Sequence, residues 1–335
     1  MRLFISIIIL IFSYHQIKAQ GCCSGGAGNP IAGGASTGVL LKNQIEISFN
    51  YQHNFSDKFF YGETDTSLTS FDNLNSNYLF LRTDYGLNKN LTLSIASGYF
   101  LNKSKVGYNL SDTINSKGLS DLIFFPRYNV YNKDLPFTRS EITLGLGVKI
   151  PIGSHTDSSQ TIPGVWDVNP PISQLSSGAN DIILYSFFYR EYKLKRFRVF
   201  ANILHINKGY NSLDQKIGDY TSYAIYFGKS FKNKVTLTTQ VKAEFIEKMD
   251  AGESLLSWEN DYLQDLEESS GSKKIFFIPQ ISFPINSFSF FATYELPIYQ
   301  NINGIQIGSK NQFTLGLNYR FFTKKNEISE KNIMP

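Results

Sequence analysis

Cysteine is almost missing from this 335-residue chain, and its two copies, Cys22 and Cys23, are neighbours. Adjacent cysteines cannot tie distant parts of a fold together, so no disulfide framework holds this protein. Histidine is scarce too. His53, His155 and His205 stand without the serine and acid of a hydrolase beside them. No glycine-rich phosphate loop follows a strand and opens a helix, so nucleotide chemistry is not supported. The reading is of a non-enzyme with no catalytic residue, no metal site and no cofactor. Beyond residue 12 no apolar run approaches the ~18 residues of a spanning helix. A formal net charge of +4 is too small to point to nucleic acid.

What is present begins with an export signal over residues 1–20. Arg2 supplies the basic start, Leu3 to Phe12 an apolar run interrupted by Ser6, and Lys18-Ala19-Gln20 the approach to cleavage. An exported chain without a spanning helix is a soluble protein or a β-barrel. Phe (28) and Tyr (20) dominate the apolar set, yet mean hydropathy is only −0.19. A barrel produces this combination, because only every second strand residue need be apolar.

The final strand shows the pattern best. Phe313, Leu315, Leu317, Tyr319 and Phe321 alternate with Thr314, Gly316, Asn318 and Arg320. Twelve segments of this kind are read: 44–53, 77–86, 91–100, 119–131, 141–151, 181–192, 197–206, 219–229, 235–246, 273–283, 287–296 and 311–322. Links after even-numbered segments are short, and those after odd-numbered segments are mostly long. The expectation is an all-β fold: a transmembrane antiparallel barrel of about twelve strands, with short periplasmic turns and long extracellular loops. The barrel would span 44–322, between a Gly/Cys-rich lead or plug at 21–43 and a periplasmic tail at 323–335. It would sit in the outer membrane of a Gram-negative cell among lipid and lipopolysaccharide, placed there by the barrel assembly machinery. The competing reading is a soluble β-sandwich with long loops.

Alternation sends a mixed set of charges toward the lumen: Glu46, Arg82, Asp84, Arg127, Lys149, Arg190, Lys242, Glu244, Glu295 and Arg320. Mixed signs argue against a simple ion-selective ring. They fit a salt-bridge network that rigidifies the bore, or a constriction that orients a polar solute. Two related words, Gly118-Leu-Ser-Asp121 and Gly178-Ala-Asn-Asp181, each precede an apolar strand. Asp121 and Asp181 are there as strand caps or as a pair of acids at the pore mouth. The acidic loop 247–272 carries Leu255, Trp258, Tyr262, Leu263 and Leu266 at helical spacing, which predicts a short amphipathic helix. Trp166-Asp167 marks 152–180 as a candidate inward-folding loop.

The word Leu144-Gly-Leu-Gly-Val-Lys-Ile-Pro-Ile-Gly153 leads through a long loop to Gly178-Ala-Asn-Asp181. Later come Tyr294-Glu-Leu-Pro-Ile-Tyr-Gln-Asn-Ile-Asn-Gly304 and Gly316-Leu-Asn-Tyr-Arg-Phe321. Together these resemble the outer-membrane transporter-like barrels grouped as phenol-degradation meta-pathway proteins. The resemblance covers roughly 118–321 and implies a transport barrel whose cargo is small and hydrophobic or aromatic. The start, Gly21 to Gly34, and the tail after Thr323 fall outside it. Three readings of that start stay open: a periplasmic lead, a plug with a Cys22–Cys23 disulfide, or an acylated Cys22. The function expected is passage of small solutes through a polar lumen. The alternatives are a structural or adhesion barrel with a blocked bore, and an outer-membrane hydrolase.

Overall fold

The computed structural model describes residues 38–108, 113–162, 164–231, 235–253 and 257–323. The export signal, most of the Gly/Cys-rich lead and the tail beyond Thr323 lie outside the described residues. Strands run in the order β1 (Gln44–Ser56), β2 (Phe59–Gly62), β3 (Thr64–Thr66), β4 (Asn73–Gly86), β5 (Leu91–Val106) and β6 (Ile114–Leu119). They continue with β7 (Leu122–Phe124), β8 (Arg127–Asp134), β9 (Thr138–Ile150), β10 (Ser158–Ile162), β11 (Val165–Val168) and β12 (Asp181–Tyr192). The last six are β13 (Phe197–Asn207), β14 (Tyr220–Phe231), β15 (Val235–Ile246), β16 (Ser272–Ile285), β17 (Phe288–Ile307) and β18 (Asn311–Phe322). Among the described residues one α-helix, α1 (Ser257–Glu268), precedes β16.

Every neighbour in the main sheet is antiparallel, and β18 returns to β1 with Ile45 opposite Phe321, Ile47 opposite Tyr319 and Tyr51 opposite Leu315. The sheet is therefore closed, with twelve staves: β1, β4, β5, the β6–β8 series, β9 and β12 to β18. Closure satisfies the backbone groups that an open edge would leave bare in lipid. The twelve segments read from alternation are these staves.

Alternation decides which side each residue takes. Along β1, Glu46, Ser48, Asn50 and Gln52 are buried, while Phe49 is exposed. Leu81, Ile95, Leu184, Ile225, Val241 and Leu315 are likewise exposed on the outer wall. Apolar surface costs about 25 cal/mol per Å² in water. A continuous apolar wall around a closed sheet is stable against hydrocarbon instead, which makes this a membrane barrel. Near the short-turn end, Tyr192 stacks on Phe197 with ring centres 6.3 Å apart, and Phe288 on Tyr319 at 4.6 Å. These rings form part of the aromatic girdle expected at a membrane interface.

The fourth stave departs from the continuous 119–131 strand that the periodicity predicts. It breaks at Ser120-Asp121 and again at Phe125-Pro126. Pro126 has no N–H to give the ladder. The wall remains bonded across both breaks: Ser120 N–H donates to Gly98 O at 2.8 Å, and Phe125 N–H to Ser94 O at 2.8 Å.

Tight links at 87–90, 135–137, 193–196 and 286–287 share one rim with the ends of β1 and β18, so this rim is the periplasmic one. Arg196 (φ 47°) and Asn286 (φ 53°) supply the left-handed residues of two of these turns. The opposite rim carries the hairpins β2–β3 and β10–β11, the loop 208–219, and α1. The predicted helix does form. Its Leu263 and Leu266 pack against Ile217, Met249 and Ala251, so it lies on the loop 208–219. Strand β17, at 20 residues, far exceeds the ~9–11 that cross a bilayer. It continues outward to pair with β2.

Candidate functional site in the barrel lumen

The lumen is not simply polar. An apolar cluster fills one side of it, built from the inward faces of β4, β5, β12, β13 and β14 together with Ile123 and Phe125 of the fourth stave. Along β12 the inward residues are Ile183, Tyr185, Phe187 and Tyr189, which explains why that segment reads as apolar on both faces. Tyr185 stacks on Phe187 (6.4 Å), Phe187 meets Phe200 (6.0 Å), and Phe200 stacks on Tyr226 (4.3 Å). Phe125 meets Tyr185 edge-on at 5.6 Å. The result is an aromatic wall running around and along the bore. Polar tips remain engaged: Asn202 Nδ2 donates to the Tyr226 hydroxyl at 3.0 Å.

The glycines of the Leu144–Gly153 word make room for this wall. A Cβ on Gly145 would lie 2.8 Å from the Phe125 ring, and one on Gly147 would lie 2.7 Å from it. The ring therefore approaches β9 this closely only because both positions lack side chains.

Nine of the ten predicted lumen charges take the inward side, and they form three groups. Toward the periplasmic end, Arg127 bonds Asp84 (2.9 Å), Asp84 bonds Arg82 (3.0 Å), Arg82 faces Glu46 (3.9 Å), and Glu46 pairs with Arg320. This belt crosses β8, β4, β1 and β18, with Ser94 of β5 accepting a further bond from Arg127 at 3.1 Å. At the β15–β17 side, Lys242 bonds Glu295 (2.9 Å) and sits 3.6 Å from Glu244. The Tyr220 hydroxyl donates to Glu244 at 3.0 Å, and Gln312 donates to Glu295 at 3.2 Å. At the extracellular end, Lys149 bonds Asp121 (2.6 Å) and Asp181 (2.9 Å), and Lys208 adds a second cation to Asp181 (2.9 Å).

One expectation needs correction. Arg190 points outward and is exposed, because the inward parity of β12 is set by Asp181, Ile183, Tyr185 and Phe187. Its guanidinium stands 5.6 Å from the Tyr192 ring. The acids Asp121 and Asp181 meet at the extracellular end, where both bond Lys149 and Lys208 supplies the second positive charge. Sequence reading missed Lys208 and the lumen aromatics, since a Lys after a strand and aromatics on a doubly apolar segment carry no distinct signal.

The loop 152–180 folds inward, but not at Trp166, which is 66% exposed. Residues Ser173 to Ser176, with Asn169 and Ala179, are its buried part. Gln174 holds them: its Nε2 donates to the carbonyls of Asp157 and Asn169, each at 2.9 Å. Leu175 joins the lumen cluster and narrows the extracellular mouth. On the same rim, His155 Nε2 lies 2.8 Å from Ser212 Oγ. Among the described residues no carboxylate bonds the other ring nitrogen, so the pair lacks the orienting group of a triad.

A closed antiparallel barrel with a lipid-facing apolar wall, short turns on one rim and long loops on the other is an outer-membrane β-barrel. Among solved structures, an outer-membrane channel from Pseudomonas putida F1 is similar to this chain: 12% identity, 86% of this chain and 99% of that one covered, TM-score 0.64. The translocator domain of the autotransporter NalP from Neisseria meningitidis gives 10% identity, 88% and 92% coverage, and a TM-score of 0.44. The KdgM porin gives 10% identity, 82% and 99% coverage, and 0.39. At such identities the likeness is one of fold. No protein-family model matches the chain, and no curated protein matches it in sequence. The outer-membrane barrel implied by the sequence words is the architecture found.

Proposed function

We propose that this protein is an outer-membrane channel for small solutes that carry an aromatic or other apolar body and a polar group. The observation behind this reading is the division of the lumen. The aromatic cluster of Tyr185, Phe187, Phe200 and Tyr226 packs one side of the bore, its rings at most 6% exposed, so that a flat apolar body enters by parting them, and the Arg127–Asp84–Arg82–Glu46 belt supplies charged partners in the same bore. An amphipathic ring can stack on one and orient a hydroxyl or carboxylate toward the other. The similarity in fold to the Pseudomonas putida channel supports a transport role.

Flux into proteoliposomes tests it. Phenol- or benzoate-sized solutes should enter faster than uncharged sugars of similar mass. Phe187→Ala should slow the aromatic solutes more than it alters ion conductance. A folded barrel that passes neither ions nor aromatic solutes would instead favour a structural or adhesion role.

A further inference from the structure

One side of the lumen wall belongs neither to the aromatic cluster nor to the ion pairs. Gln52 on β1 stands opposite Thr314 on β18, and Thr314 opposite Thr293 on β17. Thr293 in turn stands opposite Gln280 on β16, and Gln280 opposite Thr238 on β15. Five adjacent staves thus present amides and hydroxyls in one register row. Gln52, Thr314 and Thr238 are buried, and Thr293 and Gln280 half-buried. Their chain neighbours Leu237, Tyr294, Phe313 and Leu315 are exposed on the outer wall, so the row lies on the inner face. The Lys242–Glu295 pair bounds it toward the extracellular end, and the Glu46–Arg320 pair toward the periplasm. Between those pairs the inward positions of β15 to β18 and β1 carry no charge.

A second, independent observation is the state of the hydrogen-bonding groups. Gln52 Oε1 and, lower on the same face of β1, Ser48 Oγ are buried and have no hydrogen-bond partner among the described residues. The two residues are 1% and 3% exposed. Ser48 stands opposite Asn318 on β18, so the uncharged surface continues toward the periplasm. An apolar side chain would fill such positions without leaving a polar atom unpaired. The partners of these groups therefore come from what enters the bore.

We propose that this stripe is a binding path for small uncharged solutes carrying several hydroxyl groups, separate from the aromatic side of the bore. Side-chain amides and hydroxyls both donate and accept, as the hydroxyls of a polyol do. A carboxylate or ammonium would lose hydration on the stripe without meeting an opposite charge, because the charges at its two ends are paired with each other. A polyol also passes without parting the rings of the aromatic cluster. The stripe adds a second class of cargo to the channel proposed above, and it stands whether or not aromatic solutes pass.

The test is entry into proteoliposomes of erythritol, a neutral polyol, and of benzoate, a flat anion. Erythritol should enter the wild-type proteoliposomes well above the rate for protein-free liposomes. Thr293→Val with Thr314→Val keeps the branched shape and removes two hydroxyls. This pair should slow erythritol several-fold and change benzoate less than twofold, whereas Phe187→Ala should do the reverse. Thr293→Ser with Thr314→Ser, which returns the hydroxyls, should restore erythritol entry. Heat-modifiable gel migration reports the fold of each variant, and where the valine pair does not fold, Gln52→Met is read in the same way. Wild-type erythritol entry at the protein-free rate, unchanged entry in a folded variant, or equal loss of both solutes overturns the proposal. Erythritol entry that depends on the threonine hydroxyls, in a barrel that passes no benzoate, overturns the aromatic reading and leaves the stripe in place.

Discussion

Asp121 and Asp181, which open two separate strands, converge on the single ammonium of Lys149 at 2.6 and 2.9 Å. This contact joins the fourth, fifth and sixth staves at the extracellular end of the bore. Asp181 keeps a second cation in Lys208, whereas Asp121 pairs with Lys149 only among the described residues. Lys149→Met should lower stability by about 3–5 kcal/mol, because it strands buried carboxylates. Asp121→Asn should recover more of that loss than Asp181→Asn. Urea-dependent loss of the folded gel band in a double-mutant cycle measures the coupling.

The contact of Phe125 with Gly145 and Gly147 gives a packing prediction. Gly147→Ala should cost roughly 1–3 kcal/mol, since the ring has no free volume to retreat into. Phe125→Leu should relieve most of the cost. The temperature at which the folded band converts on gels reads both effects.

Position on the barrel separates two arginines that sequence parity placed together. Arg320, on the lumen side and paired with Glu46, should influence permeating ions. Arg320→Gln should move the reversal potential in a salt gradient toward cation selectivity. Arg190→Gln, on the outer wall, should leave it unchanged. Equal shifts from both substitutions would contradict the assigned faces.

Outside the membrane, Asp250 accepts a bond from the Tyr210 hydroxyl at 2.6 Å. That bond, followed by one from the Gly252 N–H, holds its carboxyl below the ordinary value of 3.8. A depressed carboxyl pKa stabilises the folded contact above the unfolded value and loses that contribution as pH falls through the folded one. The Tyr210–Asp250 contact should therefore weaken as pH falls below the ordinary carboxyl value, making the loop 208–219 easier to nick there, and Tyr210→Phe should show the easier nicking already at higher pH. Acid-protease nicking of intact vesicles, followed against pH, measures the opening. Asp250 is largely in solvent, so the barrel itself should not unfold over this range.

The outer wall can be tested directly. Ile225 lies at the middle of β14, exposed and opposite Ala201 and Val241. Ile225→Arg should cost roughly 2–4 kcal/mol if the side chain faces hydrocarbon. Refolding into lipid vesicles at several urea concentrations would reveal a negligible cost, which the lipid-facing assignment does not allow.

Much of the fold was legible because a closed membrane sheet obeys one strict period. Ile45, Ile47 and Phe49 against Glu46, Ser48 and Asn50 already specify the two faces of β1, and loop length specifies the rims. The same rule placed nine of the ten lumen charges. It failed at Arg190 because β12 is apolar on both faces, so its parity could not be read from hydrophobicity. The break in the fourth stave was hidden for a related reason: Asp121 and Pro126 interrupt a run that otherwise still alternates.

The sequence by itself determined that this chain is a barrel and which residues meet lipid, because solvent on the two faces of a strand selects residue types locally. Only the tertiary structure decided that Lys149 gathers Asp121 and Asp181, and that Phe125 lies on Gly145 and Gly147. Those contacts join staves distant in the chain, and curvature and closure of the sheet, rather than any local pattern, bring them within reach.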